Sequence, residues 1–177
     1  IATATNTQDK ADQLLDFINQ EKEMLTTSLA TADDTPNIYL AGNSSLLSTA
    51  GPAMYQSGII ELAGGKNVAS DISDTYWAEI SYEQLLSWDP DYIILASDAE
   101  YTVDDVLSDP NLKDCTAVKN NHVYAIPGDI EALDSPVPAS ILASIWLAGI
   151  LHPDQVSTDT YTKEMNSFYE TFYGIKK

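Results

Sequence analysis

Hydroxyl side chains cluster in one glycine-bounded loop, GNSSLLSTAG, which spans residues 42–51. Such a loop ahead of a helix could hold an oxyanion through its backbone N–H groups. It could equally be a capping loop without a ligand. Nucleophilic catalysis would require a base next to Ser44, Ser45 or Ser48, and nothing in the sequence brings a histidine there. An anion site and a structural turn therefore stay open as alternatives.

A second candidate lies in the stretch WAEISYEQLLSWDPDYIIL, residues 77–95. Trp77 has polar neighbours on one side, so it either packs in the core or offers a stacking surface to a ring-bearing ligand. Ser81 is placed to cap a helix. Glu83 then lies in the first helical turn, where the helix dipole favours a surface carboxylate. The stretch therefore holds one aromatic and one acidic candidate ahead of a buried strand.

Other residues that could bind metals or catalyse reactions lack the spacing that such sites need. The carboxylates of ASDAEYTVDD, residues 96–105, could attract a hard cation, but they do not follow a calcium-loop pattern, and a solvated helix start explains them as well. His122 and His152 lack ligand spacing. No dinucleotide-binding glycine motif, phosphate loop or G-x-S-x-G motif occurs. Enzyme signatures are therefore lacking, and we expect no catalytic residue, no metal site and no cofactor.

The charge of the chain narrows the class of its partners. Its 177 residues include 27 Asp and Glu, 8 Lys and no Arg, which gives a formal net charge of −19. Such a surface repels nucleic-acid phosphates, so DNA and RNA binding are excluded, and it disfavours binding to anionic lipid.

The lone Cys115 excludes an internal disulfide and a cysteine metal cluster. No apolar run reaches membrane-spanning length and no signal peptide is visible. The chain lacks an initiator methionine, so we expect it to be a trimmed part of a longer protein.

Hydrophobic periodicity predicts the elements that position these residues. A long amphipathic helix is expected over residues 8–29. Apolar strands are expected over residues 38–41, 92–96 and 122–126, and they alternate with helices along the chain. Pro52 is placed to begin one of these helices. The order predicts an α/β fold with a mainly parallel sheet and right-handed crossovers.

The predicted topology also indicates where a ligand would bind. Ligands of open α/β sheets sit beyond the carboxyl ends of the strands. The loops at those ends are residues 42–51, 97–100 and 127–137, and each is long, polar or both. We therefore expect the three loops to meet at one edge of the sheet.

Four segments of the chain occur in a familiar order. They are IIELAGGKNVA, WAEISYEQLLSWDPDYIIL, AVKNNHVYAIPG and SPVPASILASIWLAGILHP. With them the chain resembles the C-terminal half of the substrate-binding proteins of ABC importers for iron chelates and cobalamin. The resemblance implies a Rossmann-like α/β lobe with a mainly parallel sheet at residues 33–177. A long interlobe helix within residues 1–32 would precede it, and the N-terminal lobe would be absent from this chain.

The resemblance also implies roles for individual residues. Glu83 would dock onto a basic pocket of the membrane permease through a charge-assisted contact with arginine. The residues that would contact the ligand are Trp77, Ser44, Ser45, Asp129 and Glu131. The implied protein is an extracytoplasmic monomer, periplasmic or a cell-surface lipoprotein, that captures a small molecule and delivers it to an ABC permease. A chain with only one lobe should bind this ligand poorly.

The ligand class is narrowed by the absence of arginine. Relatives that take anionic siderophores often line the cleft with arginine, and Lys66 is the one cation expected near the cleft here. Haem, a corrinoid or a less charged iron chelate therefore fits better than an anionic catecholate. A small oxyanion such as molybdate is the second choice because of the hydroxyl-rich loop. Two rivals remain, namely one lobe of an α/β enzyme, and an adhesion or scaffolding module that uses the acidic face.

Overall fold

The computed structural model describes residues 2–72 and 76–176. The helices in this part of the chain are α1 Ala2–Thr5, α2 Gln8–Leu29, α3 Tyr55–Leu62, α4 Tyr82–Trp88, α5 Val103–Leu107, α6 Thr116–Lys119, α7 Ile141–Leu151 and α8 Thr158–Tyr173. The strands are β1 Asn37–Ala41, β2 Ser48–Ala50, β3 Lys66–Asn67, β4 Trp77–Glu79, β5 Tyr92–Leu95 and β6 Val123–Ala125. A 3₁₀ turn, Pro138–Ser140, leads directly into α7.

The strands form one sheet in the order β4–β2–β1–β5–β6, and β3 also pairs with β1. β1 runs parallel to β3 and β5, and β5 runs parallel to β6. The edge formed by β2 and β4 is antiparallel. Two strands pair with the same side of β1. Asn37 at the start of β1 lies opposite Lys66 of β3, and Ala41 at its end lies opposite Thr49 of β2. The predicted mainly parallel α/β sheet is confirmed, with an antiparallel edge that the sequence did not reveal.

Helices cover both faces of the sheet, and successive residues of β1 alternate between them. Ile38 and Leu40 pack into the core formed with α2, α3, α7 and α8. Tyr39 and Ala41 pack into the second core, formed with α4, α5 and α6. A strand that is covered on both faces has no solvent side, which explains why β1 and β5 read as unbroken apolar runs.

Two of the predicted helices differ in how well their bounds were foreseen. The helix predicted over residues 8–29 is α2, with the same bounds. The helix predicted to begin at Pro52 instead begins at Tyr55, because Gly51 and Met54 form a turn through the Met54 N–H···O=C Gly51 bond of 3.0 Å. Gly64 ends this region with a φ of +80°, a conformation that suits glycine.

The helices α2 and α8 are joined by aromatic packing. The ring of Phe17 lies 5.3 Å from that of Phe168 and 6.0 Å from that of Phe172, measured between centroids. Glu21, one helical turn after Phe17 in α2, lies near Glu164, one turn before Phe168 in α8, and Glu21 is only 8% exposed. Burial, and secondarily the Glu164 carboxylate, raises the pKa of Glu21 to about 7, although Lys163 opposes this. The contact between the two helices therefore contains one carboxyl group that is poorly suited to ionisation.

Replacing Glu21 with glutamine is expected to stabilise the chain at pH 8 and to leave its stability unchanged near pH 4.5. Because the folded pKa lies above the unfolded value, the carboxyl group imposes no penalty below about pH 4.5, and its penalty grows as the pH rises through about 7. We expect the thermal midpoint of E21Q to exceed that of the parent by roughly 3–8 °C at pH 8. Thermal denaturation followed by circular dichroism at both pH values measures this, with the exposed Glu23→Gln as the matched control. An equal shift at both pH values would contradict the ionisation of Glu21 as its cause.

Candidate functional site: the rim at the carboxyl ends of the strands

Three loops meet at the carboxyl ends of the parallel strands, and we call residues 42–45, 97–100 and 127–134 the rim. The first two loops are joined by backbone, because the N–H of Glu100 donates to the carbonyl of Asn43 at 2.8 Å. The side chain of Asn43 also donates to Asp98. The predicted meeting of the three loops at one edge of the sheet therefore holds for the first pair.

A buried carboxylate attaches the third loop. Asp134, at 4% exposure, accepts hydrogen bonds from the Ser97 hydroxyl at 2.5 Å and from the Ser97 N–H at 3.2 Å. Gly128 lies so close to Ser97 that a Cβ on it would come within 3.0 Å of the serine Cβ. The Asp134 link was not foreseen from the sequence, because its partner is 37 residues away and no motif connects the two.

Trp77 lies at the edge of the rim, in β4, and is 36% exposed. Its ring packs against the first rim loop, where a Cβ on Gly42 would come within 3.1 Å of the Trp77 Cζ3 atom. The Tyr101 hydroxyl donates to the Gly42 carbonyl at 2.6 Å and so fixes the backbone beneath the ring. The core interpretation of Trp77 is therefore wrong, and part of its side chain is accessible at the strand ends.

The hydroxyl-rich loop turns out to be a turn and a strand. The Ser45 hydroxyl accepts from the Leu47 N–H at 3.1 Å, and the Thr49 hydroxyl donates to the Leu40 carbonyl at 2.7 Å. Ser44 is exposed on the rim. Because the loop enters β2, it neither begins nor caps a helix, and of the two alternatives the structural turn describes its geometry.

Asp129 and Glu131 both lie in the third rim loop, in different surroundings. Asp129 is exposed. Glu131 is partly buried and accepts a hydrogen bond from the Tyr169 hydroxyl at 3.1 Å. Burial, followed by the neighbouring Glu131, raises the pKa of Tyr169 above its usual value. Glu131 thus anchors the loop to α8, and Asp129 is the carboxylate of the pair that faces solvent.

Comparison with known proteins places the chain in a family. The family model for periplasmic binding proteins matches residues 1–130. This chain belongs to the periplasmic binding protein family. It is 27% identical over 98% of its length to the molybdate-binding protein MolA of Haemophilus influenzae, and covers 49% of that protein. It is 28% identical over 59% of its length to a cobalamin-binding protein of Halobacterium salinarum, and covers 29% of that protein.

Solved structures of such proteins share the fold. A periplasmic solute binding protein from Veillonella parvula matches with a TM-score of 0.88 and 25% identity, over 99% of this chain and 54% of the other. MolA of Haemophilus influenzae bound to molybdate matches with a TM-score of 0.85 and 26% identity, over 99% of this chain and 54% of the other. The chain thus spans about half the length of these periplasmic binding proteins.

Glu83 is exposed in the first turn of α4. The Ser81 hydroxyl caps α4 by accepting from the Gln84 N–H at 3.2 Å, as predicted. A hydrogen bond with the Ser81 side chain holds the pKa of Glu83 below its usual value, so the group is an anion at neutral pH. The preceding residue of α4, Tyr82, lines a cavity of about 310 Å³ together with Ser44 and Ser45 of the first rim loop.

The rim is acidic and lacks cationic side chains. Its three loops contain no lysine or arginine, and their carboxylates are Asp98, Glu100, Asp129, Glu131 and Asp134. Lys66, which was expected near the cleft, lies opposite Asn37 at the start of β1. The rim is at the other end of this strand, about 13 Å away at the rise of a β-strand. The expectation for Lys66 is therefore wrong, and this lobe offers no cation to a bound anion at its rim.

The histidines are held by structural contacts. His122 stacks on Tyr92, with ring centroids 4.4 Å apart. His152 is buried, with its Nε2 atom 3.3 Å from the Gly64 carbonyl oxygen and its Nδ1 atom 3.6 Å from an Asp34 carboxylate oxygen. Both histidines therefore make structural contacts, which agrees with their lack of ligand spacing in the sequence.

Other expected or excluded features can be checked in the part of the chain that the structure describes. The acidic segment before α5 forms a capping box between Thr102 and Asp105, as the helix-start interpretation predicts. Across residues 2–72 and 76–176, no three His, Cys, Asp or Glu side chains converge on a metal-binding position. Within the same residues, no helix is both long and apolar enough to cross a membrane.

Proposed function

We propose that this chain is the C-terminal, ligand-capturing lobe of an extracytoplasmic solute-binding protein that serves an ABC importer. The observation that carries the proposal is the rim itself, where three loops are joined by hydrogen bonds and the partly exposed ring of Trp77 packs against the first of them. Binding and release, without chemical turnover, are what this arrangement can perform. The working unit is a monomer in the periplasm or on the cell surface as a lipoprotein.

A first lobe would complete the clamp through α2. This helix has 22 residues, so it is about 33 Å long. Its C-terminal half is held by the core at Leu25, while most side chains of its N-terminal half are exposed or only partly buried. The match to only about half of each relative supports a preceding lobe in the same polypeptide. In this arrangement residues 1–32 form the interlobe segment and residues 33–177 form the lobe.

The ligand that best suits the rim is a ring-bearing metal chelate, such as haem, a corrinoid or a weakly charged iron chelate. The partly exposed indole of Trp77 provides a flat apolar surface for a ring. Ser44 and Asp129 add exposed polar groups on two of the rim loops. In this assignment Ser45 and Glu131 shape the wall mainly through their bonds to Leu47 and Tyr169.

Molybdate is the second candidate, favoured by the similarity to MolA over nearly the whole chain. An oxyanion requires hydrogen-bond donors or cations, and the rim carries five carboxylates and no lysine or arginine. Molybdate binding therefore requires that the first lobe supply most of the donors. This requirement separates the two candidates experimentally.

Replacing Trp77 with alanine in the two-lobe polypeptide tests the ligand assignment. The polypeptide would be titrated calorimetrically with haem, cyanocobalamin and molybdate. If a ring-bearing chelate is the ligand, we expect W77A to weaken its binding by about thirtyfold, because a central tryptophan typically contributes about 2 kcal/mol to an interface. Leu15→Ala, which truncates an apolar residue of α2 that is 57% exposed, should leave the affinity unchanged.

The outcome for molybdate is different. If molybdate alone binds and W77A has no effect on it, the second candidate replaces the first. If W77A leaves the affinity for a bound haem or corrinoid unchanged, the stacking role of Trp77 is wrong.

A further inference from the structure

A separate groove lies among α2, α3 and the start of α7, outside the rim. Its volume is about 530 Å³, within the range of small-molecule sites. Apolar side chains dominate its lining, including Ile18 of α2, Val137 ahead of the 3₁₀ turn and Ile141 of α7. The groove is large enough for a ligand and is not explained by the capture of a solute at the rim.

A serine hydroxyl of α7 borders this groove. Ser144 lines the groove, and the residue as a whole is only 2% exposed. No hydrogen bond to its hydroxyl is formed within the described residues, whereas the neighbouring Ser140 hydroxyl is bonded to that of Tyr55. The Ser144 hydroxyl is therefore a donor that a ligand in the groove could satisfy.

An unpaired cation borders the same groove. Lys22 of α2 lines it, and among residues 2–72 and 76–176 the ammonium of Lys22 has no carboxylate partner. A lysine can lay its alkyl stem along apolar surface and present its charge at the border. The groove therefore combines an apolar wall with one positive charge.

A glycine keeps the groove open. Gly58 lies within α3 and lines the groove, and a Cβ placed on it would meet no atom within 4 Å. No packing contact thus requires glycine there, although glycine in a helix is less favourable than alanine. A ligand in the space above Gly58 would explain why a residue without a side chain occupies this position of the helix.

From these observations we propose that the groove binds a small amphipathic carboxylate, with an alkyl or aryl body against Ile18, Gly58 and Ile141 and its carboxylate at Lys22 and Ser144. Charge complementarity decides in favour of an anion, since Lys22 is the one charged side chain in the lining. The site is independent of the ligand that is captured at the rim.

Calorimetric titration of the 177-residue chain with dodecanoate, below the concentration at which micelles form, tests the proposal. We expect one dodecanoate per chain. Dodecyltrimethylammonium, which has the same tail and the opposite charge, should bind at least about tenfold more weakly, which is the contribution of one charge-assisted hydrogen bond. Equal binding of the two amphiphiles would overturn the proposal.

Substitutions at two positions localise the binding. Gly58→Leu should fill the groove and weaken dodecanoate binding by at least about tenfold, while Gly58→Ala should keep binding and raise the thermal midpoint. Lys22→Gln should weaken binding by about fivefold to tenfold. Lys10→Gln, on the same helix but outside the groove lining, should have no effect. Full binding by G58L would overturn the proposal.

Self-association is the other use of an apolar groove. Sedimentation of the parent chain and of G58L distinguishes it. A concentration-dependent dimer that G58L converts to a monomer, together with no dodecanoate binding, would show that a second copy covers the groove and would overturn the proposal. A monomer that binds dodecanoate supports it.

Discussion

Replacing Glu83 with arginine is expected to abolish ligand import while leaving ligand affinity unchanged. The Glu83 carboxylate is exposed at the start of α4, and its charge is secured by the hydrogen bond with Ser81. An exposed anion at a fixed position suits contact with a basic pocket on a membrane permease. Reversing its charge places two cations against each other across that contact, which strongly disfavours docking. The ligand, held at the rim, loses no contact.

Transport into proteoliposomes that contain the permease measures this effect directly, with the two-lobe polypeptide as donor. We expect E83R to lower the transport rate by at least about tenfold, with the same ligand affinity by calorimetry. Glu61→Arg makes the same charge change at an exposed position of α3 and should transport normally. The docking role of Glu83 would be wrong if E83R reduced ligand affinity while transport per bound ligand was preserved.

The parallel part of the fold could be predicted from the sequence because each of its elements carries a local signal. The apolar runs of β1, β5 and β6 and the helical stripe of α2 were all recognisable. The antiparallel edge was not, because β2 and β4 are short strands of mixed polarity and lack the apolar run that marked β6. Their pairing, with Ala50 opposite Trp77, is set by contacts between distant parts of the chain.

The location of the site could be predicted from the sequence, but most of the contacts within it could not. Strand topology alone indicated that the three loops would meet. The Ser97–Asp134 bond and the anchoring of Glu131 by Tyr169 depend on contacts between residues 37 and 38 positions apart. The position of Lys66 was wrong for a related reason, because proximity in sequence to the rim segments gave no information about which end of the sheet it occupies.

The pKa of Glu21 is a further feature that sequence could not reveal. Glu21 is a charged residue followed by two other charged residues, Lys22 and Glu23, as is common at the surface of a helix. Its burial follows from the approach of α8, which the aromatic rings of Phe17 and Phe168 hold against α2. If α2 carries a first lobe, the pH-dependent contact at Glu21 lies within the segment that joins the lobes.

If this chain is one half of a two-lobe clamp, its ligand affinity should depend strongly on the other lobe. A ligand held between two lobes contacts both walls, and the rim described here can provide only one of them. Removing the other wall leaves the ligand largely exposed to water, whereas small-molecule sites typically bury 70–90% of their ligand. We therefore expect the isolated 177-residue chain to bind at least about a hundredfold more weakly than the two-lobe polypeptide.

Calorimetric titration of both polypeptides with haem, cyanocobalamin and molybdate, under the same conditions, tests this claim most directly. Circular dichroism should first show that the 177-residue chain alone is folded. The expected result is that the two-lobe polypeptide binds one of the three ligands at one per chain, while the 177-residue chain retains about one hundredth of that affinity or less. Equal affinity of the two polypeptides for the same ligand would contradict the clamp.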